Sequence, residues 1–284
     1  MPLILACTDG SAYAPALYQH TAWAAARLGA GVEVLHVLAP HRERAAGVDL
    51  SGSIGFDASA QLTEELTRLA ETQARVQRLK GRAILEDAKV KLAAAGVTRI
   101  TATQRHGTLV ETLTELEPGC DLVVIGKRGE HAGFDSSHLG GNLERVVRTA
   151  VRPVLVTAQT FPPIERFLIA YDGGPSVTRA LDFVLASPLL QGLNAHLLRA
   201  GQVDDKARWY LEEAAARLRQ GGYQVASHAV TGAPESVIAE VIQRERIQLL
   251  VMGAYGHSPI RAFILGSTTT NMVRTSPVSV LLFR

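Results

Sequence analysis

Short apolar runs alternate with longer segments of helical periodicity along the whole chain. Ten runs are typical of β-strands, and the segments between them place apolar residues three or four positions apart, as amphipathic helices do. The predicted strands are 3–8, 32–38, 98–105, 121–125 and 154–157 in the first half, and 167–171, 195–199, 224–230, 248–252 and 278–283 in the second. Continuous apolar strands separated by helices indicate an α/β fold with a parallel sheet covered on both faces.

The chain contains an internal repeat. Asp9-Gly10 after the first predicted strand matches Asp172-Gly173 after the sixth. Four further segment pairs recur in the same order, namely 121–126 with 248–253, 139–140 with 265–266, 147–149 with 273–275, and 152–156 with 276–280. We therefore predict two tandem domains, 1–158 and 164–284, each an open, doubly wound, five-stranded parallel sheet with helices on both faces. A proline-containing linker at 159–163 separates them.

The two copies differ by an insertion in the first. Asp9 and Asp172 lie 163 positions apart, whereas Gly126 and Gly253 lie 127 apart, so the first copy holds 36 additional residues. They fall between about residues 39 and 81, predicted as a Gly/Ser-rich loop at 47–59 followed by a helix. An apolar stripe follows this helix at Leu62, Leu66, Leu69, Val76 and Leu79. Such a stripe is typical of packing surface, and it extends either the core or an oligomer interface.

Small and hydroxyl residues of the second copy are predicted to converge at the carboxyl edge of its sheet. Gly253 and Gly256 follow the fourth strand of this copy, and Gly266 comes before a helix-like segment. Glycines let the backbone turn sharply and approach a ligand closely. A helix start with free N–H groups favours a phosphate, and Ser267 adds a hydroxyl donor. Asp172 is an acceptor suited to a ribose hydroxyl or a base amine.

The spacing Gly253-x2-Gly256-x9-Gly266-Ser267 resembles the ATP-binding signature of the universal stress protein family, and the resemblance spans nearly the whole chain. It implies a five-stranded sheet in each domain, adenine-nucleotide binding (ATP, or else ADP or AMP, with Mg²⁺ left open), and roles in stress survival and in regulating other proteins. It also implies that Asp172 contacts the adenosine end, and that Arg199 lies beside the base. The residues implied to flank or hold the ribose and phosphates are Met252, Gly253, Gly256, His257, Gly266, Ser267 and Thr268. Arg199 departs from the small or apolar residue usual in the family, and either stacks on the base or blocks it.

The first copy departs further from this pattern. Its landmarks are Asp9, Gly126, Gly129 and Gly140, with ten residues rather than nine between the last two. Asn142 ends a Gly-Gly-Asn triplet that replaces Gly-Ser-Thr, and Glu144 brings a carboxylate into the first helical turn, where it competes with phosphate. We expect this site to be weak or empty, although Lys127 and Arg128 offer partial compensation.

Composition excludes several classes of function. The net charge is +2, and we find no basic tract of the kind that binds nucleic acid. No apolar run approaches the roughly 18 residues that cross a membrane, and the histidines show no metal-ligand spacing. Cys7 and Cys120 are predicted to be buried free thiols, so we expect a reducing, cytoplasmic location.

Three functional classes remain open. The first is a nucleotide-binding regulator without real turnover, because the chain has no Walker loop and no paired carboxylate and Mg²⁺ ligand. The second is an adenylylating enzyme, since 171–176 faintly resembles an ATP pyrophosphatase loop. The third is a scaffold that acts through protein surfaces such as 39–81. In each class we expect the two copies to pack as a pseudo-dimer through their last strands, with an unidentified protein partner and homodimerisation both open. Two simpler roles are also open: the glycines as turn residues, and Asp172 as a helix cap.

Overall fold

The computed structural model describes residues 1–38, 56–129, 141–254 and 266–284. The first half contains β1 (Leu3–Cys7), α1 (Ala14–Leu28), β2 (Gly31–Leu38), α2 (Phe56–Ala94), β3 (Ile100–His106), α3 (Leu109–Leu116), β4 (Leu122–Gly126), α4 (Gly141–Thr149) and β5 (Val154–Thr157). The second half contains β6 (Arg166–Ala170), α5 (Pro175–Ala186), β7 (Asn194–Gly201), α6 (Asp205–Gln220), β8 (Val225–Thr231), α7 (Pro234–Arg244), β9 (Leu249–Gly253), α8 (Ser267–Thr275) and β10 (Ser279–Phe283). Every predicted strand is found, with bounds within two residues of those predicted.

The ten strands of the described residues belong to one sheet, in the order β3-β2-β1-β4-β5-β10-β9-β6-β7-β8. Neighbouring strands are parallel within each half, and only the central pair, β5 with β10, is antiparallel. The prediction that the two last strands pair with each other is confirmed, with Leu281 opposite Leu155. In each half the order reverses beside the first strand, at β1/β4 and at β6/β9. These reversals are the switch points where such sheets bind ligands.

Helices cover both faces of the sheet, as predicted. Alternate residues of each strand enter two apolar cores, one under α1, α2, α5 and α6 and the other under α3, α4, α7 and α8. Local chemistry fixes several helix ends. Thr108 begins α3 with a capping box in which its hydroxyl accepts the Glu111 N–H, and Gly29 ends α1 with a left-handed φ of 60°.

Side chains also join the two halves away from the strands. Arg27 of α1 donates from its guanidinium to the carbonyl oxygens of Leu189 and Gln191. His20, also on α1, is 1% exposed and lies 2.6 Å from the Ser279 hydroxyl of β10. The contact surface between the halves is therefore made by a buried helix as well as by paired strands.

Helix α2 is much longer than its counterpart, with 39 residues against 16 in α6. It begins at Phe56, so the last residues of the loop predicted at 47–59 are helical, and 39–55 lie outside the described residues. The apolar stripe from Leu62 to Leu79 is exposed, so of its two predicted roles the extension of the core is wrong and the oligomer interface stays a prediction. From residue 62 to 80 the side chains of α2 are exposed, and from Gly81 onward the helix buries side chains through Leu85, Ala88 and Leu92.

Candidate functional site

The switch point of the second half brings together the ends of β6, β7 and β9. Asp172 follows β6, and its Oδ1 accepts the backbone N–H of Gly174 at 2.8 Å. This turn requires a φ of +79° at Gly173, which a glycine adopts without strain. Asp172 therefore shapes the loop that enters α5, and it does so without acting as the N-cap residue, which is Gly174.

Arg199 lies at the end of β7, next to Asp172. Its Nη1 donates to the backbone oxygen of Asp172 at 2.5 Å, which ties β7 to the loop after β6. Its Nε is buried and has no hydrogen-bond partner in the described part of the chain. A buried donor without an acceptor is costly, so this nitrogen is suited to an oxygen or nitrogen of a ligand.

The end of β9 lies against the start of α5. A Cβ at Gly253 would come within 2.9 Å of the Ser176 Cβ and 3.3 Å of the Val177 nitrogen. Glycine is therefore needed at position 253 so that α5 can pack against β9. The sequence analysis had instead attributed this glycine to the close approach of a ligand. The preceding residue, Met252, is 4% exposed and its side chain lies in the core, so only its backbone can face the crevice.

Helix α8 begins beside the same strand. The Gly266 N–H donates to Ala254 O at 3.2 Å, and Thr269 donates its hydroxyl to Gly253 O at 3.0 Å. Among the described residues no side chain caps this helix, and its first turn carries no acidic residue. The first N–H groups of α8 therefore stand at the crevice with the positive end of the helix dipole. Ser267, in that turn, is exposed.

The sequence analysis did not predict the contact between Glu235 and Thr268 in this crevice. Glu235, in the first turn of α7, accepts the Thr268 hydroxyl proton at 2.6 Å, so that this predicted phosphate ligand is bound to a carboxylate. The two residues lie 33 positions apart, and no local pattern links them. Gly256 and His257 lie outside the described residues, so their predicted roles remain predictions.

A model of the universal stress protein family matches residues 2–158 and 196–284, which is most of the chain. The chain belongs to this family. Universal stress protein Slr1230 of Synechocystis is 37% identical over 287 residues that cover 100% of both chains. Universal stress protein Rv1996 of Mycobacterium tuberculosis is 27% identical over 230 residues, covering 71% of this chain and 72% of its own. A solved universal stress protein from Archaeoglobus fulgidus shares the fold, with a TM-score of 0.73 at 20% identity and coverage of 99% and 96%.

In this universal stress protein, side chains of the first half lie close to two glycines of its corresponding crevice. Ile84 of α2 lies over Gly10, at 2.5 Å from where a Cβ would stand. The Asp9 carboxylate lies similarly close to Gly129. In the second half, a Cβ at Gly173 would meet no described heavy atom within 4 Å. The first half also carries Glu144 in the first turn of α4, and Gly140 lies outside the described ranges.

Lys127 does not compensate in the way that the sequence suggested. Its Nζ donates to the backbone oxygen of Ser276 in the second half at 2.5 Å. Burial, assisted by the neighbouring Arg128 charge, lowers the pKa of this amine to about 8. Lys127 therefore joins the two halves of this universal stress protein and does not point its charge at a phosphate in the first crevice.

Other groups bear on the chemistry open to the protein. Cys7 and Cys120 are buried and free, as predicted, and burial raises the pKa of both thiols, that of Cys120 to about 11. Across the described ranges, no group of three or more His, Cys, Asp or Glu side chains is arranged to hold a metal ion. No helix in those ranges is long and apolar enough to span a bilayer.

Proposed function

We propose that this universal stress protein binds an adenine nucleotide in the crevice of its second half and acts as a regulator without turnover. The observation that carries the proposal is the uncapped start of α8, with no acidic residue in its first turn, beside the switch point of β6 and β9. Such a helix start attracts phosphate through its free N–H groups and its dipole, which contributes about 0.3 to 1 kcal/mol per charge.

The residues of the crevice divide naturally between the two ends of a nucleotide. The backbone N–H and the hydroxyl of Ser267 suit the phosphates, together with Gly256 and His257 from the family signature, and Gly266, whose own N–H is bound to Ala254 O, leaves room for a close approach. Asp172 suits a ribose hydroxyl or base amine, and the unpartnered Nε of Arg199 supplies a donor to the same end. ATP, ADP and AMP share this chemistry, and a Mg²⁺ ion would enter with the phosphates.

We assign the site to the second half for steric and electrostatic reasons. In the first crevice Ile84 lies close to Gly10, and Asp9 lies close to Gly129. In the second crevice no described heavy atom lies within 4 Å of a Cβ placed at Gly173. Glu144 adds a negative charge within the first turn of α4, which opposes phosphate there. The first turn of α8 has no acidic residue of its own, and the carboxylate beside it, Glu235, accepts the Thr268 hydroxyl proton. One nucleotide per chain follows.

The regulatory role is inferred from the family and from the shape of the site. The crevice offers N–H donors and hydroxyls, which bind phosphate, and its one described carboxylate near α8, Glu235, is hydrogen-bonded to Thr268. Efficient phosphoryl transfer requires a residue that positions the attacking group. We therefore propose that binding changes contacts with an unidentified protein partner. A reducing cytoplasm suits the two free thiols.

Calorimetric titration of ATP, ADP and AMP tests the proposal. A double variant, Gly266→Val with Ser267→Val, fills the start of α8 with β-branched side chains, and we expect it to weaken ATP binding at least about tenfold. Gly266 has a φ of −58°, which valine adopts readily, so the variant should fold. The matched control places valine at Gly140 and Gly141 of the first half and should leave binding unchanged.

Each contrary result has a defined meaning. Two ATP per chain, or loss of binding in the control variant, would overturn the assignment to the second half. No nucleotide binding by the wild type would overturn the proposal and favour a scaffold. Pyrophosphate release when candidate substrates are added would instead show an adenylylating enzyme.

A further inference from the structure

The first half of α2 forms an exposed helical arm, which we define as residues 62–80. Every side chain in this range is exposed, and the helix enters the core only at Gly81. Nineteen residues of helix are about 28 Å long at 1.5 Å per residue. In proteins, packing of an apolar face supplies most helical stability. A partner surface that covers the apolar residues of the arm would therefore stabilise it.

The apolar residues of the arm follow the spacing of a helix–helix seam. Leu62, Leu66, Leu69 and Val76 are separated by four, three and seven positions, and Leu79 extends the same side. Their exposed fractions run from 38% to 56%. A sustained alternation of threes and fours is typical of helices that pair along their length, and Gln73 occupies the remaining position of the seam.

The arm is polarised in charge. Its N-terminal half, 62–71, holds Glu64, Glu65 and Glu71 against one cation, Arg68, which pairs with Glu64 at 2.8 Å. Its C-terminal half, 72–80, holds three cations, Arg75, Arg78 and Lys80, and no carboxylate. A partner helix must therefore be basic where the arm is acidic and acidic where the arm is basic. An antiparallel second copy of the arm meets this requirement.

We propose that two copies of this chain dimerise through an antiparallel pairing of their arms. A two-fold axis near residue 71 places Leu62 of one copy opposite Leu79 of the other. The same axis places Leu66 of each copy opposite Val76 of the other copy. Glu64 and Glu65 of each arm then lie along the basic half of the partner arm, with Glu71 on the axis, whereas a parallel pair would set like charges side by side along the whole arm. This interface is independent of the nucleotide site.

Sedimentation equilibrium of the full-length chain tests the dimer. The wild type should sediment as a dimer that dissociates at high salt, since exposed charges are screened. Leu66→Glu with Leu69→Glu should raise the dissociation constant at least about a hundredfold, because each buried leucine contributes about a factor of ten or more. Val90→Glu is the matched control, since Val90 is exposed on the same helix beyond the arm. An unchanged melting temperature would show that both variants fold.

Cross-linking determines the orientation. Mixing the Leu62→Cys and Leu79→Cys variants under oxidising conditions should give a disulfide-linked heterodimer, and neither variant alone should cross-link efficiently. A monomeric wild type would overturn the proposal. So would a dimer that the arm substitutions leave intact, or efficient cross-linking of Leu62→Cys with itself, which requires parallel arms.

Discussion

Mild acid should destabilise the protein in part through the buried imidazole of His20. Its Nδ1 donates to Ala16 O at 2.7 Å, because a carbonyl oxygen can only accept. Its Nε2 therefore carries the lone pair and accepts the Ser279 hydroxyl proton at 2.6 Å, while Ser279 Oγ accepts the Ala158 N–H at 2.9 Å. Every group is satisfied only when the ring is neutral. Protonating Nε2 would place an N–H against the hydroxyl that now donates to it.

The pKa of His20 sets the size of the effect. Burial lowers it from 6.5 to about 4, against a smaller opposing contribution from the Ala16 carbonyl. The unfolded chain therefore binds one more proton than the native chain between these two values, so stability rises with pH across this window. Integration gives a loss of about 2 kcal/mol on going from about pH 7.5 to about pH 5, and about 3 kcal/mol in full below pH 4.

Urea unfolding over this pH range measures the effect. His20→Gln removes the titration and retains an amide that can contact Ser279, so it should be less stable near neutrality but lose less stability in acid. The difference between wild type and variant should shrink by about 2 kcal/mol at about pH 5. His106→Gln, at an exposed position of β3, should keep the wild-type slope. If His20→Gln loses as much stability in acid as the wild type, the linkage to His20 is refuted.

Two further predictions concern stability. Glu117 is buried, and its Oε1 accepts the backbone N–H groups of Val151 and Arg152 at 2.7 and 2.6 Å. Glu117→Ala should therefore lower the free energy of unfolding by about 2 to 3 kcal/mol, and Glu117→Gln should lower it by less. Gly253→Val should lower it by about 1 to 3 kcal/mol, because the Cβ would overlap the start of α5, whereas Gly119→Ala meets no described atom within 4 Å and should be neutral. Urea unfolding checks both, and a neutral Gly253→Val would contradict the packing assigned to that glycine.

The fold could be predicted because its signals are local. Apolar runs and helical periodicity extend over five to fifteen residues, and the repeat doubles each signal. The pairing of β5 with β10 could also be predicted from the sequence, because residues 280–283 form an apolar edge strand that needs a partner. The sequence left open whether the Leu62 to Leu79 stripe extends the core or an oligomer interface, because periodicity identifies an apolar face but not what covers it, and only the structure excluded the core.

The sequence by itself determined the α/β class, the two copies and the choice of Asp172, Gly253 and Gly266 as neighbours at one edge of the sheet. Only the tertiary structure decided what surrounds them. Ile84 covers the first crevice, Glu235 binds Thr268, and His20 joins the halves through Ser279. These contacts join residues that are far apart in the chain, 33 positions for Glu235 and Thr268 and 259 positions for His20 and Ser279. Local patterning specifies elements, whereas the side chains that meet across elements depend on how those elements pack.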